Sequence, residues 1–117
     1  MADYYIAGPM AGMPDLNRPA FRRAAEHLRN AGHAVVNPHD IAPHAHEGPC
    51  PRSYATNPDD GHAAACYLRT CLKAMLECRA VVMLPGWEAS VGSREEHRNA
   101  AFCGMPIHYA NEEGRVA

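Results

Sequence analysis

The sequence contains no apolar run close to the roughly 20 residues that a membrane-spanning helix needs. Its start, Met1-Ala2-Asp3, lacks a basic segment, and the apolar stretch that follows is too short for a secretory signal peptide. Charge of one sign is also lacking, because the formal net charge is only −2. Without a basic field, the chain has little to offer a nucleic-acid backbone. We therefore expect it to act on neither membranes nor nucleic-acid polymers.

The cysteines do not form a disulfide framework. They are odd in number, five, and four of them lie within helical patterns. A reducing cytoplasm is therefore the expected location. With 117 residues, of which 47% are hydrophobic, the chain can bury one core but not two. We expect one domain over residues 1–117.

Short apolar runs alternate with helical patterns along the chain. The runs predict strands at 4–7, 34–36, 80–84 and 106–109. Apolar residues at helical spacing predict helices at about 18–31, 64–78 and 93–103. Alternation of this kind with right-handed crossovers is typical of an α/β fold with helices on both faces of a parallel sheet. We predict a three-layer, Rossmann-like (flavodoxin-like) domain of about four strands in the order 2-1-3-4.

The predicted strand order places two loops at one crevice. The sheet reverses direction between strands 1 and 3, so the loops at 8–17 and 85–92 open onto the same edge. A third loop, at about 38–60, is rich in proline and histidine and too long for a plain connection, so we expect a lid, a binding loop or partial disorder. The polar tail from about 111 is expected to be frayed.

A helix-start pattern, Ser93-x-x-Glu96, follows the third predicted strand. It predicts Ser93 as the cap and Glu96 at the third helical position. There the positive helix end would stabilise the charged carboxylate by about 0.3 to 1 kcal/mol, and it could also hold a phosphate or a sugar hydroxyl. An ionised carboxylate can attack the anomeric carbon of a glycoside. Glu95 is the alternative carboxylate, about 100° around the helix.

Several segments resemble the nucleoside 2-deoxyribosyltransferase superfamily. They are Tyr5-Ile6-Ala7-Gly8-Pro9, Asn17-Arg18-Pro19-Ala20-Phe21, Leu84-Pro85-Gly86-Trp87-Glu88, Ser90-x-Gly92-Ser93-x-x-Glu96 and Gly104-Met105-Pro106-Ile107. Within that superfamily the chain is most similar to the branch known as domain of unknown function 4406, over about residues 4 to 108. The resemblance implies a Rossmann-like sheet and cleavage of the bond between a nucleobase and deoxyribose. We expect a nucleoside or nucleotide as substrate and no cofactor.

Individual roles also follow from the resemblance. It implies that Glu96 is the catalytic nucleophile and that Tyr5 orients it. Serine at position 90, where transferases of free nucleosides tend to have aspartate, implies a preference for 5′-monophosphates. Trp87 could stack on a base or only plug the crevice, and Arg18 could bind phosphate or only face solvent. The candidate substrate-binding residues are Gly8, Pro9, Arg18, Trp87, Ser90, Gly92 and Ser93.

One position departs from the pattern of the family. Arg79 stands where family members often carry an aspartate before the third strand, so the base preference, or activity itself, depends on whether that aspartate contacts substrate.

The loop at about 38–60 contains a set of potential zinc ligands, but their spacing fits no compact site and we expect no metal. These residues are His39, His44, His46 and Cys50.

Two classes of function stay open. The first is an enzyme, either a hydrolase or a transferase that passes the sugar to a second base. The second is a non-catalytic module on the same fold that binds or senses a nucleotide. The phosphoribohydrolases that release cytokinin bases are a looser comparison. Because neighbouring subunits commonly complete the active site in the resembling family, we expect a homodimer or a larger homo-oligomer.

Overall fold

The computed structural model describes residues 1–41 and 64–116, and each predicted strand and helix is present there to within about two residues at its ends. The strands are β1 Tyr4–Ala7, β2 Val35–Val36, β3 Ala80–Met83 and β4 Ile107–Tyr109. The helices are α1 Arg18–Asn30, α2 Ala64–Leu76 and α3 Val91–Phe102. The predicted loop at 38–60 is described only as far as Ile41, so that His44, His46 and Cys50 lie outside the described residues.

All strand pairs are parallel, and the strand order is β2-β1-β3-β4, as predicted. β1 lies at the centre and pairs with β3 in a register that sets Tyr5 opposite Val81. Because neighbouring strand residues point to opposite faces, Tyr5 packs with α2 and α3, whereas Ile6 packs against Phe21 of α1. The sheet is therefore covered by α1 on one face and by α2 and α3 on the other.

β3 is the most deeply buried strand. All four of its residues, Ala80–Met83, are buried, as the continuous apolar run predicts for a strand with helices on both faces. Fully burying a valine side chain contributes roughly 1.5 to 3 kcal/mol, so this strand anchors the sheet. No helix within the described ranges is both long enough and apolar enough to span a bilayer.

The loops that follow β1 and β3 meet at the carboxyl edge of the sheet. A Cβ atom on Gly8 would lie 2.8 Å from Cβ of Leu84, so glycine permits the close approach of the two strand ends. At the next residue of the first loop, Pro9 Cγ lies 3.6 Å from the place that a Cβ on Gly86 of the second loop would occupy. The predicted meeting of these two loops at one crevice is confirmed.

Residues 111–116 of the tail form a hydrogen-bonded turn, and the fraying of the tail stays a prediction. The Asn111 carbonyl Oδ1 accepts hydrogen bonds from the amides of Glu113 and Arg115, at 3.1 and 2.9 Å. Gly114 has a φ of +84°, and a Cβ there would lie 2.8 Å from the amide nitrogen of Ala24 in α1. The turn therefore packs against α1, a tertiary contact that local polarity does not reveal.

Candidate functional site

Tyr5 and Glu96 form a buried hydrogen-bonded pair at the interface between the sheet and α3. The Tyr5 hydroxyl donates to Oε2 of Glu96 at 2.5 Å, a distance typical of a hydrogen bond to an ionised carboxylate. Tyr5 is fully buried and Glu96 is 6% exposed. Oε1 of Glu96 has no hydrogen-bond donor within the described part of the chain. The predicted proximity of these two residues, 91 positions apart, is confirmed.

Burial governs the ionisation of the pair. Loss of hydration raises the pKa of Glu96 from its usual 4.5 to about 7, and the hydrogen bond from Tyr5 lowers it. Burial, followed by the nearby charge of Glu96, raises the pKa of Tyr5 well above 10. The tyrosine is therefore a permanent hydroxyl donor. The carboxyl group, in contrast, changes its charge near neutral pH.

The start of α3 differs from the prediction. The helix begins at Val91, with Ser90 as its cap, and Ser90 Oγ accepts a hydrogen bond from the Ser93 amide at 3.4 Å. Ser93 is therefore not the cap, and Glu96 lies in the second turn rather than the first. The effect of a helix end falls off within one turn. Stabilisation of the Glu96 charge by the helix end is thus replaced by the opposite influence, desolvation.

Ser93 lies one turn before Glu96, on the same inward face of α3. Its side chain is buried, and its hydroxyl has no hydrogen-bond partner among the described residues. Gly92, next to it, has nothing within 4 Å of the place a Cβ would occupy, so this side of the first helical turn is open. Ser90, Gly92 and Ser93 are therefore together at the helix start, where the sequence predicts substrate contacts.

Trp87 lies in a 3₁₀ turn, Trp87–Ala89, between β3 and α3. One face of its indole stacks on His97 of α3, with the ring centroids 4.1 Å apart and the planes 14° from parallel. The ring also packs against the core cluster that contains Tyr5. Because His97 covers one face of the indole, only the other face could stack on a base. The indole therefore covers part of the cluster that contains Tyr5.

Arg18 is the first residue of α1. Its guanidinium contacts Asp15 at 2.8 Å and is partly exposed to solvent. Asn17, which the sequence places at the helix start, precedes α1 but makes no side-chain capping bond. Asp15, Leu16 and Asn17 all have φ values between 50° and 60°, a left-handed conformation that is unfavourable for these residues. Arg18 therefore extends from a strained turn.

Two other charged residues are separate from the buried pair. Glu95, the alternative carboxylate, pairs with Arg98 one turn further along α3, at 2.7 Å and near the surface. Arg79 is an exposed residue that precedes β3, and its guanidinium lies 3.9 Å from Asp3. The sequence departure at position 79 is thus at the surface rather than at Glu96.

Cys71 is a part of this site that the sequence did not predict. It lies on α2 and packs against the cluster that contains Tyr5. Burial raises the pKa of its thiol, the hydrogen bond with Tyr5 lowers it, and the charge of Glu96 raises it; the result is a pKa of about 11, so the thiol stays neutral. Helical periodicity identified Cys71 as inward-facing, but only the observed packing of α2 across β1 brings it to Tyr5.

Two clefts lie on the α1 side of the sheet and contain neither Tyr5 nor Glu96. Their volumes are about 260 and 440 Å³. The first is lined in part by Asn17, Arg23 and Gly86. The pair has a different setting, because it is enclosed between the sheet and the other two helices. Within residues 1–41 and 64–116, no group of three or more histidine, cysteine or acidic side chains could hold a metal ion.

Comparison with known families decides the family of the chain. A family model, described as a domain of unknown function (DUF4406), matches residues 2–109. The chain belongs to the DUF4406 family. The match spans β1 to β4 and so includes both Tyr5 and Glu96. Neither the curated proteins nor the solved structures give a significant match.

Proposed function

We propose that this DUF4406 chain cleaves the N-glycosidic bond of a deoxynucleoside or its 5′-monophosphate, with Glu96 as the nucleophile. The observation that carries this proposal is the buried hydrogen bond from Tyr5 to Glu96. A buried carboxyl group with a shifted pKa and a fixed donor is typical of catalytic sites. The resemblance of the crevice segments to nucleoside 2-deoxyribosyltransferases supplies the class of reaction.

In the proposed reaction, the two carboxylate oxygens have different tasks. Tyr5 holds Oε2, so Oε1 is the atom available for attack on the anomeric carbon. As the new C–O bond forms, the bond from carbon to base breaks, and its electron pair leaves with the base, which takes a proton from solvent. Water or a second base then attacks the same carbon and frees Glu96. Hydrolase and transferase therefore share the first step.

Base release from a panel of substrates tests the proposal. The full chain would be incubated with deoxynucleosides, ribonucleosides and their 5′-monophosphates, and the free base would be separated and measured. We expect release from at least one deoxyribose compound. Saturable binding of a nucleotide without release of base would instead favour the non-catalytic nucleotide-binding module. No release and no binding would contradict both.

Replacement of Tyr5 by phenylalanine should slow base release and move its pH dependence. The variant loses the hydrogen bond that lowers the Glu96 pKa, so that pKa should rise above about 7. A nucleophile must be ionised, so the rate should increase with pH through the pKa and should do so at higher pH in the variant. We expect kcat/KM at neutral pH to fall about 10- to 30-fold.

The matched control is Tyr4→Phe, since Tyr4 precedes Tyr5 on β1 and its ring contacts His33 rather than Glu96. It should keep the wild-type pH profile. A rate that falls as pH rises through 7 would indicate that Glu96 acts as an acid rather than a nucleophile. An unchanged profile in Tyr5→Phe would contradict the orienting role of the tyrosine.

We further propose that the preferred substrate carries a 5′-phosphate, which the start of α3 would bind. The first amides of a helix have no acceptor within the helix. Ser90 provides acceptors for the amides of Ser93 and Arg94, which leaves those of Val91 and Gly92 for an anion. The open side at Gly92 gives room for it.

Replacement of Ser90 by aspartate tests this site without loss of the helix cap, because aspartate caps helices as well as serine does. The added negative charge should weaken binding of a 5′-monophosphate by about 1 to 2 kcal/mol and leave the free nucleoside little affected. Ser90→Asn, which also caps but adds no charge, is the control. Equal losses for both substrates, measured as Kd by calorimetry, would contradict the phosphate site.

We also propose that the chain forms a homo-oligomer, following the resemblance. Two large apolar side chains on α3 support this, since Val91 and Phe102 are 64% and 92% exposed. Apolar side chains are enriched in the buried cores of homodimer interfaces, where these two could be covered.

A further inference from the structure

Three aromatic side chains from three separate elements meet beside the candidate site. They are Trp87 from the turn after β3, His97 from α3 and Tyr109 from the end of β4. The indole and imidazole centroids lie 6.3 and 6.1 Å from that of the Tyr109 ring, so all three rings contact one another, and the imidazole makes the closest contacts. It stacks on the indole at 4.1 Å, and its Nε2 shares a hydrogen bond with the Tyr109 hydroxyl at 2.9 Å, in a direction that depends on the tautomer.

Two of these rings lie next to the buried pair, one in the sequence and one in the packing. His97 directly follows Glu96 in the chain, and Trp87 is three residues before the Ser90 cap. The indole packs against the cluster that contains Tyr5 and so forms part of the boundary between that cluster and solvent. A displacement of Trp87 would therefore both open this boundary and move the turn that leads into the start of α3.

The backbone alone holds this turn only locally. The Trp87 amide donates to the carbonyl of Leu84, and the Ser90 amide donates to the carbonyl of Trp87, at 3.3 and 3.1 Å. Both bonds lie within the segment that joins β3 to α3. The stack on His97, in contrast, joins the turn to the helix, and the hydrogen bond to Tyr109 joins the helix to β4.

We propose that His97 is a positioning residue that fastens the Trp87 turn to α3 and β4, so that the indole keeps its place over the cluster that contains Tyr5. The fastening of the Trp87 turn is a property of the fold, whereas its effect on turnover rests on the proposed function. His97 does not contact the carboxylate pair, and it acts through Trp87.

The chain offers a direct probe, because Trp87 is its single tryptophan. Fluorescence quenching by acrylamide therefore reports on this indole alone. We would compare the full wild-type chain with His97→Ala, which removes the stack and the hydrogen bond, and with His97→Phe, which keeps a stacking ring. His27→Ala, a histidine replaced on the exposed side of α1, is the matched control.

We expect acrylamide to quench His97→Ala more efficiently than wild type, with His97→Phe restored toward wild type and His27→Ala unchanged. For a substrate of the panel, KM should rise about 5- to 30-fold in His97→Ala, the loss expected for one aromatic pair with one hydrogen bond, while kcat stays within about twofold. His97→Phe should recover part of the KM, a rescue that loss of stability alone does not predict.

Quenching in His97→Ala equal to that in wild type would overturn the proposal. A fall in kcat with KM unchanged in His97→Ala would also overturn it, because His97 would then act in the chemical step rather than position Trp87. If His97→Ala does not fold, His97→Leu, which also removes the stacking ring and the hydrogen bond, takes its place, and wild-type quenching in His97→Leu would overturn the fastening. If wild type releases no base, the proposed function fails and the quenching comparison still decides the fastening.

Discussion

Replacing Glu96 with glutamine should reduce base release at least about 1,000-fold, because the amide cannot form the glycosyl bond. Glutamine has the same shape as glutamate, and its carbonyl oxygen can still accept the hydrogen bond from Tyr5, so the packing of α3 on β1 should survive. Turnover is measured as released base in single-turnover conditions, where slow product release does not hide the chemical step.

The matched control is Glu95→Gln. This glutamate has the adjacent position on the same helix but pairs with Arg98 near the surface, so its loss should change turnover by less than about twofold. Near-normal turnover in Glu96→Gln together with an inactive Glu95→Gln would reverse the assignment of the nucleophile.

Glu96→Gln should also stabilise the folded protein at alkaline pH, by as much as about 3 kcal/mol. The folded pKa of Glu96, about 7, is higher than its usual value of 4.5, so the folded state holds the proton more tightly than the unfolded state does. Wild-type stability from this group is therefore fully present below about pH 4.5 and is lost as pH rises through about 7. Glutamine does not titrate and avoids this loss.

Denaturant unfolding of the two proteins between pH 4.5 and 8.5 measures the effect. The difference in unfolding free energy should grow up to about pH 7 and then level off, since the titration of all other groups is common to both proteins. Glu95→Gln should show no such trend with pH. A constant difference between wild type and Glu96→Gln would show that the carboxyl group is not desolvated in the folded protein.

A gain in stability in Glu96→Gln would itself indicate that Glu96 belongs to a functional site. A buried carboxylate that the fold holds at the expense of stability is typical of residues retained for activity. The loss above pH 7 and the reactivity of Glu96 have one physical cause, because removal of hydration both destabilises the charge and leaves the oxygen free to react. The Tyr5 hydroxyl offsets part of that penalty.

The architecture was predictable from the sequence because its signals are local or topological. The apolar runs that became β1 and β3 are short and continuous, and the handedness of crossovers then leaves few strand orders. Once β1 and β3 are neighbours, Tyr5 and Glu96 come within reach of each other. The fold and the geometry of the central pair therefore follow from pattern and topology.

The remaining features depend on tertiary packing. Ser90 and Ser93 are both suitable caps, and which one caps α3 is settled by the burial of Ser93 against the sheet. The shift of the Glu96 pKa reflects the extent of desolvation, which spacing does not encode. The turn in the tail likewise depends on the close contact of Gly114 with α1. The contacts of Cys71 and His97 become visible only once α2 and α3 are packed.

Detection of a covalent intermediate would show directly which residue attacks the sugar. The full chain would be mixed with the deoxynucleotide that releases base fastest, quenched with acid during turnover, and examined by intact mass and by mapping of peptides. We expect a mass increase equal to one deoxyribosyl group, with its phosphate, on the peptide that contains Glu96, and no increase in Glu96→Gln. Base release by a chain that carries no adduct, or an adduct on another residue, would contradict this expectation.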